Sequence, residues 1–426
     1  MKKRAKARLF FRKIYMFNKS NIFSNFVQLI LLLIIFTVVL ILKIKKVIKI
    51  EVFNSIVDTG LLFAIVIVIV TSILVSIIGY SFTKKHSEDI RINYQNIDIL
   101  NKYESSNIYI NKEDNIKYPI IDVIYSLGKK IEIVDDENKF YDIPQEIYSQ
   151  QSEIFKAYKG NVIFNSICVR VDRIDEQEEE IVLNTSRTYY YNSSITNRAA
   201  DFVLENGCTI RDIYEPGPYI KSLENSKMSN HLGFNGFVIT NDGYVPFIVR
   251  SKNVSIGKDT LANSIGASLK AKYALDCNGK KKEYPLGESI FNEIIDELNL
   301  GCLEIEYDTL GFTPADLEKN IICFYRDIVE LGKPQFLFYC KINLSKEQID
   351  EAIKAKAIET NKDTRKVQKD GDMAIFLNKE EILNKVSMNY STIKLLSTNK
   401  EYPIMPSAAA CVSIFKDFIK NGKINF

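Results

Sequence analysis

Two stretches near the start of the chain carry no charge at all, and they constrain its fold more than any other feature. Residues 26–42 are seventeen consecutive uncharged positions, extended towards the start by Ile22 and Phe23, and residues 60–82 form a second such run. As a helix rising 1.5 Å per residue, either run reaches across a hydrocarbon core about 30 Å thick. Neither has the polar face of a helix packed on a globular core. A cleaved secretory signal fits the first run poorly, because no small-residue cleavage site follows it and a second run comes next. The sequence therefore predicts a membrane protein: an N-terminal two-helix transmembrane hairpin, with spans at about 23–42 and 60–82, followed by a cytoplasmic α/β portion.

Charge sets the expected orientation. The first twenty residues hold eight Lys or Arg and no acid, Lys43, Lys45, Lys46 and Lys49 lie between the runs, and Lys84 and Lys85 follow them. The heavier N-terminal arm predicts that both termini face the cytoplasm from a cell inner membrane, with the arm against anionic lipid. Seven cysteines, at 168, 208, 277, 302, 323, 340 and 411, make no CxxC pair, so neither a disulfide framework nor a zinc site is expected. With His86 and His231 as its only histidines, the chain has little material for a His-based triad or a His-rich metal site.

Past the apolar runs, residues 84–225 read as a polar linker and a β-rich intermediate region, and residues 226–426 as the main domain. Lys130-Ile-Glu-Ile-Val134 and residues 161–171 alternate as strands do, with Asp135 and Asp136 opening a turn and the acidic run 175–180 making another. Residues 233–250 hold two apolar strands around Asn241-Asp-Gly243, a hairpin signal. Strands alternating with two or three helices predict an α/β domain.

Chemistry concentrates in two places. In Tyr284–Gly301 the apolar residues Phe291, Ile294, Ile295 and Leu298 fall on one face of a short helix, while Glu293, Asp296 and Glu297 sit at i, i+3 and i+4 on another. Three carboxylates on one turn repel one another unless a cation offsets them, and a hard divalent metal suits such a cluster. A solvated acidic face is the plainer alternative. In residues 185–201, Arg187, Tyr190 and Arg198 combine arginine forks that can hold phosphate with an aromatic face that can stack a base. An ordinary strand and helix cap, with its tyrosines in the core, would look the same.

The stretch Asn292-Glu-Ile-Ile-Asp-Glu-Leu-Asn-Leu300, downstream of Arg250-Ser251 and a Gly-bearing loop, resembles the end of the Nudix box, REUxEExGU with U apolar. Glu293 and Glu297 match box glutamates and Ile294 and Leu300 its apolar positions; Asn292 stands where the family has Arg, and Asn299 where it has Gly. With the two apolar runs and Arg326-Asp-Ile-Val-Glu-Leu-Gly-Lys-Pro-Gln335, the chain resembles the transmembrane Nudix effectors of bacterial cyclic-oligonucleotide anti-phage signalling. The resemblance implies a Nudix-like domain that senses a cyclic nucleotide and a hairpin that disrupts the inner membrane. Arg187, Tyr190 and Arg198 in one region, and Arg250, Lys270 and Lys333 in the other, are the candidate ligand contacts. The alternative is a metal-dependent hydrolase of a nucleoside diphosphate derivative, with Glu293 and Glu297 catalytic and Glu293, Asp296 and Glu297 holding Mg²⁺. A membrane-anchored scaffold without a ligand is a third reading. The expected partners are a cyclic nucleotide, the lipid bilayer and further copies of the chain, and no DNA or RNA polymer.

Overall fold

The structure, a computed structural model, describes residues 98–157, 165–250, 260–275, 282–303, 305–362 and 371–426. Two compact units divide the chain, one taking residues 1–90 and 205–208, the other 91–204 and 209–426, and the elements named here belong to the second. Its strands are β1 (Ile108–Ile110), β2 (Lys117–Tyr125), β3 (Lys130–Phe140), β4 (Ile167–Glu176), β5 (Glu180–Tyr189), β6 (Gly233–Ile239), β7 (Tyr244–Arg250), β8 (Leu261–Ala262), β9 (Ile265–Ser268), β10 (Ile321–Asp327), β11 (Lys333–Lys341), β12 (Gly371–Asn378), β13 (Val386–Met388), β14 (Thr392–Leu395) and β15 (Lys400–Pro403). Three helices exceed ten residues among the described residues: α1 (Pro285–Glu297), α2 (Lys346–Lys362) and α3 (Pro406–Lys420).

No helix among the described residues is long and apolar enough to cross a membrane. The longest, α2, has 17 residues and is charged along its length. The expectation of a membrane protein with a two-helix transmembrane hairpin, placed in an inner membrane by two spans, is corrected on that finding to an α/β architecture of mixed sheets. The expected spans themselves lie outside the described residues.

The central sheet has six strands in the order β1-β2-β10-β11-β6-β9. Its pairings are antiparallel except β6 with β11, which run parallel and set Phe234 beside Phe336 and Val238 beside Cys340. Strands β6, β10 and β11 are apolar on both faces, the pattern of a sheet covered on both sides. Because side chains alternate along a strand, Phe234, Val238, Phe324, Phe336 and Phe338 enter one cluster with Leu286, Ile290 and Ile294 of α1 and Ile349 and Ile353 of α2. Their neighbours Phe237, Ile239, Tyr325 and Leu337 enter the other, with Ala408, Cys411, Val412, Phe415 and Phe418 of α3.

Helix α1 starts at Pro285, whose missing N–H costs nothing at a first helical position. The Glu318 carboxylate caps the same end, accepting from the Leu286 and Gly287 N–H groups at 2.9 and 3.1 Å. A Cβ at Gly287 would run into the Pro314 carbonyl, so only glycine lets the helix Pro314–Lys319 lie this close.

Two local expectations turned out differently. The Asn241-Asp-Gly243 turn forms, with Gly243 at φ +79° and Thr240 N–H donating to the Tyr244 carbonyl at 2.8 Å, but the strands it joins part company. β6 stays in the central sheet, whereas β7 pairs with β12 and β8 in a second, three-stranded sheet. Ser264 spans the split, donating its hydroxyl to the Pro246 carbonyl at 2.7 Å and accepting from the Val238 N–H at 3.1 Å. β1 and β2, which precede residue 226, share the central sheet with β6 and β9. The intermediate region supplies a third sheet, β3-β5-β4, in which residues 177–179 turn β4 into β5 as the acidic run suggested. β3 runs through Asp135 and Asp136 instead of turning there.

Candidate ligand-binding site

Strand β4 extends beyond its own sheet to the ends of β6 and β9. Val169 N–H donates to the Leu269 carbonyl at 3.0 Å, and Leu232 N–H to the Val169 carbonyl at 2.9 Å. These bonds hold the segment after β5, with Tyr190 and Arg198, against Lys270 and the β10–β11 hairpin. Between them lies a cavity of about 210 Å³. Its wall brings together Tyr190 and Arg198 from one predicted group, Arg250, Lys270 and Lys333 from the other, and Glu293 and Glu297 from α1.

Arg187 does not reach it. That side chain, 3% exposed, turns the other way and binds both oxygens of Asp135 at 2.6 and 2.9 Å. Asp296 is exposed on α1 and is not part of the wall, although it lies near enough to act on Lys270 and Glu293.

The charges of the wall are arranged in pairs. Lys270 Nζ lies 2.6 Å from Glu293, whose carboxyl group is 3% exposed. Burial pushes the Glu293 carboxyl up from its ordinary range, opposed by the Lys270 ammonium. Burial pulls Lys270 down, yet Glu293 more than offsets it and the net shift is upward. Lys333 Nζ meets Glu330 at 2.9 Å, across the tight turn in which Leu331 and Gly332 take φ +56° and +76°. Burial would raise Glu330, but Lys333 and Arg198 outweigh it and keep the carboxylate charged. Arg198 stacks on the Tyr190 ring at 4.9 Å and donates to a Tyr190 hydroxyl at 2.7 Å. Behind the wall His231 is fully buried, its pKa held well below the ordinary value by burial and by Lys333 and Arg198. It shares a 2.9 Å hydrogen bond with Ser268 Oγ on the cavity side. The Cys168 thiol, also on the wall, is pushed up to about 12 by burial and is inert as a nucleophile.

These contacts bear on the expected Mg²⁺. A resident Mg²⁺ asks for several oxygens converging at about 2.0–2.1 Å. Glu293 instead faces an ammonium group, Asp296 is exposed to solvent, and no three His, Cys, Asp or Glu side chains come together in a metal-holding group among the described residues. The residues do not fit the ion; Lys270 supplies the positive charge at that place.

Sequence reasoning missed Glu330, His231, Ser268 and three amide side chains of the wall, Asn235, Asn263 and Gln335. One signal was available for Glu330, which stands three positions before Lys333 around the Leu331-Gly332 turn.

No protein-family model matches the chain, and no curated protein matches it. Among solved structures, DR0079 from Deinococcus radiodurans is similar over 42% of this chain and 80% of its own, at 16% identity and a TM-score of 0.22. A likeness that slight carries no argument about fold or function. Nothing in these comparisons supports the Nudix resemblance or a part in anti-phage defence.

Proposed function

We propose that the protein binds a phosphate-bearing nucleotide, or one nucleotide unit of a larger molecule such as a cyclic oligonucleotide, in this cavity. The observation that carries the reading is the convergence of Arg198, Arg250, Lys270 and Lys333 on one cavity beside Tyr190 and Phe234. Four cations face three carboxylates, Glu293, Glu297 and Glu330, and burial draws Glu293 towards its neutral form. The surplus is positive, and an incoming phosphate restores the balance. Arginine forks match phosphate geometry, and a ring face accepts a base by stacking. The volume, about 210 Å³, falls below the roughly 300–1,000 Å³ of sites for drug-sized ligands, which favours one nucleotide unit over two.

Titration calorimetry of the full chain with mononucleotides and with cyclic di- and trinucleotides tests this. At least one probe should bind saturably, more weakly in higher salt, and at least tenfold more weakly to Arg198→Ala. No binding by any probe, or equal affinity in the variant, overturns the reading.

A further inference from the structure

The three amides on the cavity wall are in different situations. Asn235 Nδ2 donates to the Tyr325 hydroxyl at 2.8 Å and to Gln335 Oε1 at 2.9 Å. Gln335 Nε2 in turn donates to Asp327 at 3.3 Å. Asn263 is 3% exposed, and neither its Oδ1 nor its Nδ2 makes a hydrogen bond. Folding rarely strands a buried amide in this way, and such a group calls for a partner that arrives later.

Its surroundings limit what that partner can be. Asn263 joins β8 to β9, and the next residue, Ser264, is fixed by bonds to Pro246 and Val238, so the backbone cannot swing the amide to a new position. Ala262, Ile265, Met405 and Ala408, which share the wall with it, offer no polar side-chain atom beyond the weakly accepting Met405 sulfur. The Cys411 thiol lies against the amide, but a thiol is a weak hydrogen-bonding group, and the Tyr325 hydroxyl shares it at 3.3 Å. A carboxamide presents one acceptor and one donor group side by side in a plane. It is satisfied by a planar ligand edge with a donor next to an acceptor.

We infer that Asn263 reads the base of the bound nucleotide through an edge that sets a hydrogen-bond donor beside an acceptor. Resting as it does on the cavity being a nucleotide site, this assigns the phosphate to the Arg198–Lys333–Lys270 end and the base to the Asn263 end. Adenine offers N6–H and N7 together, the pair that an asparagine amide matches in two hydrogen bonds. On guanine O6 and N7 both accept, but O6 beside N1–H offers such a pair, whereas ribose 5-phosphate has no such edge.

The test titrates the full-length protein with AMP, GMP and ribose 5-phosphate, and repeats the series on Asn263→Leu. Leucine matches asparagine in size and removes the stranded amide, so the variant should melt no lower than the parent. AMP or GMP should bind the parent at least tenfold more tightly than ribose 5-phosphate. In Asn263→Leu that advantage should vanish while ribose 5-phosphate binds as before. If neither nucleotide beats ribose 5-phosphate in the parent, or if Asn263→Leu keeps the preference, the assignment of Asn263 is wrong and the nucleotide site stands. If none of the three probes binds the parent, both fall.

Discussion

Two hollows in this unit are lined with charge, and they differ in what the charges do. One, about 480 Å³, lies over the β3-β5-β4 sheet and is walled by Asp135, Asp136, Lys139, Arg170, Asp172 and Arg173 among others. Its charges close on one another: Asp135 takes the Arg187 fork and the Thr185 hydroxyl, Asp172 takes Lys139 at 2.8 Å and Arg170, and Arg173 holds Asp175 at 2.7 Å. The other, the cavity beside β6 and β9, combines a cationic surplus with an amide neither of whose polar atoms is bonded. The sign of the surplus, a cation here and a carboxylate there, and that amide separate a place suited to a phosphate ligand from a place whose charges serve the fold.

The comparison can be broken at its strongest point first. Arg187→Ala leaves Asp135 without its fork in a largely buried position, and removing one partner of such a pair costs about 3–5 kcal/mol. Urea unfolding should show that loss while nucleotide affinity, measured on the folded fraction, stays as it was; a fall in affinity would mean that the two hollows are coupled. Next in size is a pH effect seated behind the cavity wall. Burial pushes the Asp327 carboxyl up to about 7, against an ordinary value near 3.8. Between those values the folded state holds the proton that the unfolded state has released, so stability is greatest at the acid end and falls as pH rises to about 7. The drop should be on the order of 1 kcal/mol or more, and Asp327→Asn should flatten it; an unchanged slope in that variant would place the titration elsewhere.

Smaller effects sharpen the contrast. Arg198→Ala should weaken nucleotide binding about tenfold, roughly 1.4 kcal/mol, with little loss of fold because Glu330 keeps Lys333 at 2.9 Å. On the other hollow, Arg173→Ala should change stability by less than about 0.5 kcal/mol, since both members of its pair with Asp175 are well exposed. A loss above about 1 kcal/mol there would show that the rim of that hollow is more than a solvated network.

The sequence carried the local chemistry further than the architecture. Tyr190 and Arg198, which line the cavity with Lys270 and Lys333, were legible as candidates because arginine, lysine and tyrosine declare their chemistry wherever they sit. Arg187, three residues before Tyr190, looked the same on paper; its direction depends on Asp135, a partner 52 positions away that no local pattern reveals. The Asn-Asp-Gly turn was readable from its own three residues, yet which strands then pair is decided by β12 and β11, far along the chain. The carboxylates of α1 were readable as a cluster by helical spacing, but Lys270 turned Glu293 inward to an ammonium group and left Asp296 outside. The apolar runs predicted spans, and the described residues hold no membrane-crossing helix. Asn263 gave no signal, because what marks it is the absence of hydrogen bonds around it in three dimensions.

The order of strands in the central sheet has a consequence for how the protein is made. β2 lies against β10, with Ile124 beside Phe324, two hundred positions apart. At about 5–20 residues per second of synthesis, β2 leaves the ribosome roughly 10–40 s before its neighbour exists. Through that interval its apolar residues Ile120, Ile121 and Ile124 have no sheet to join. A nascent chain of this design depends on something to shelter β2 until the β10–β11 hairpin emerges, which makes the timing of translation, as much as the final packing, a condition of reaching the folded cavity.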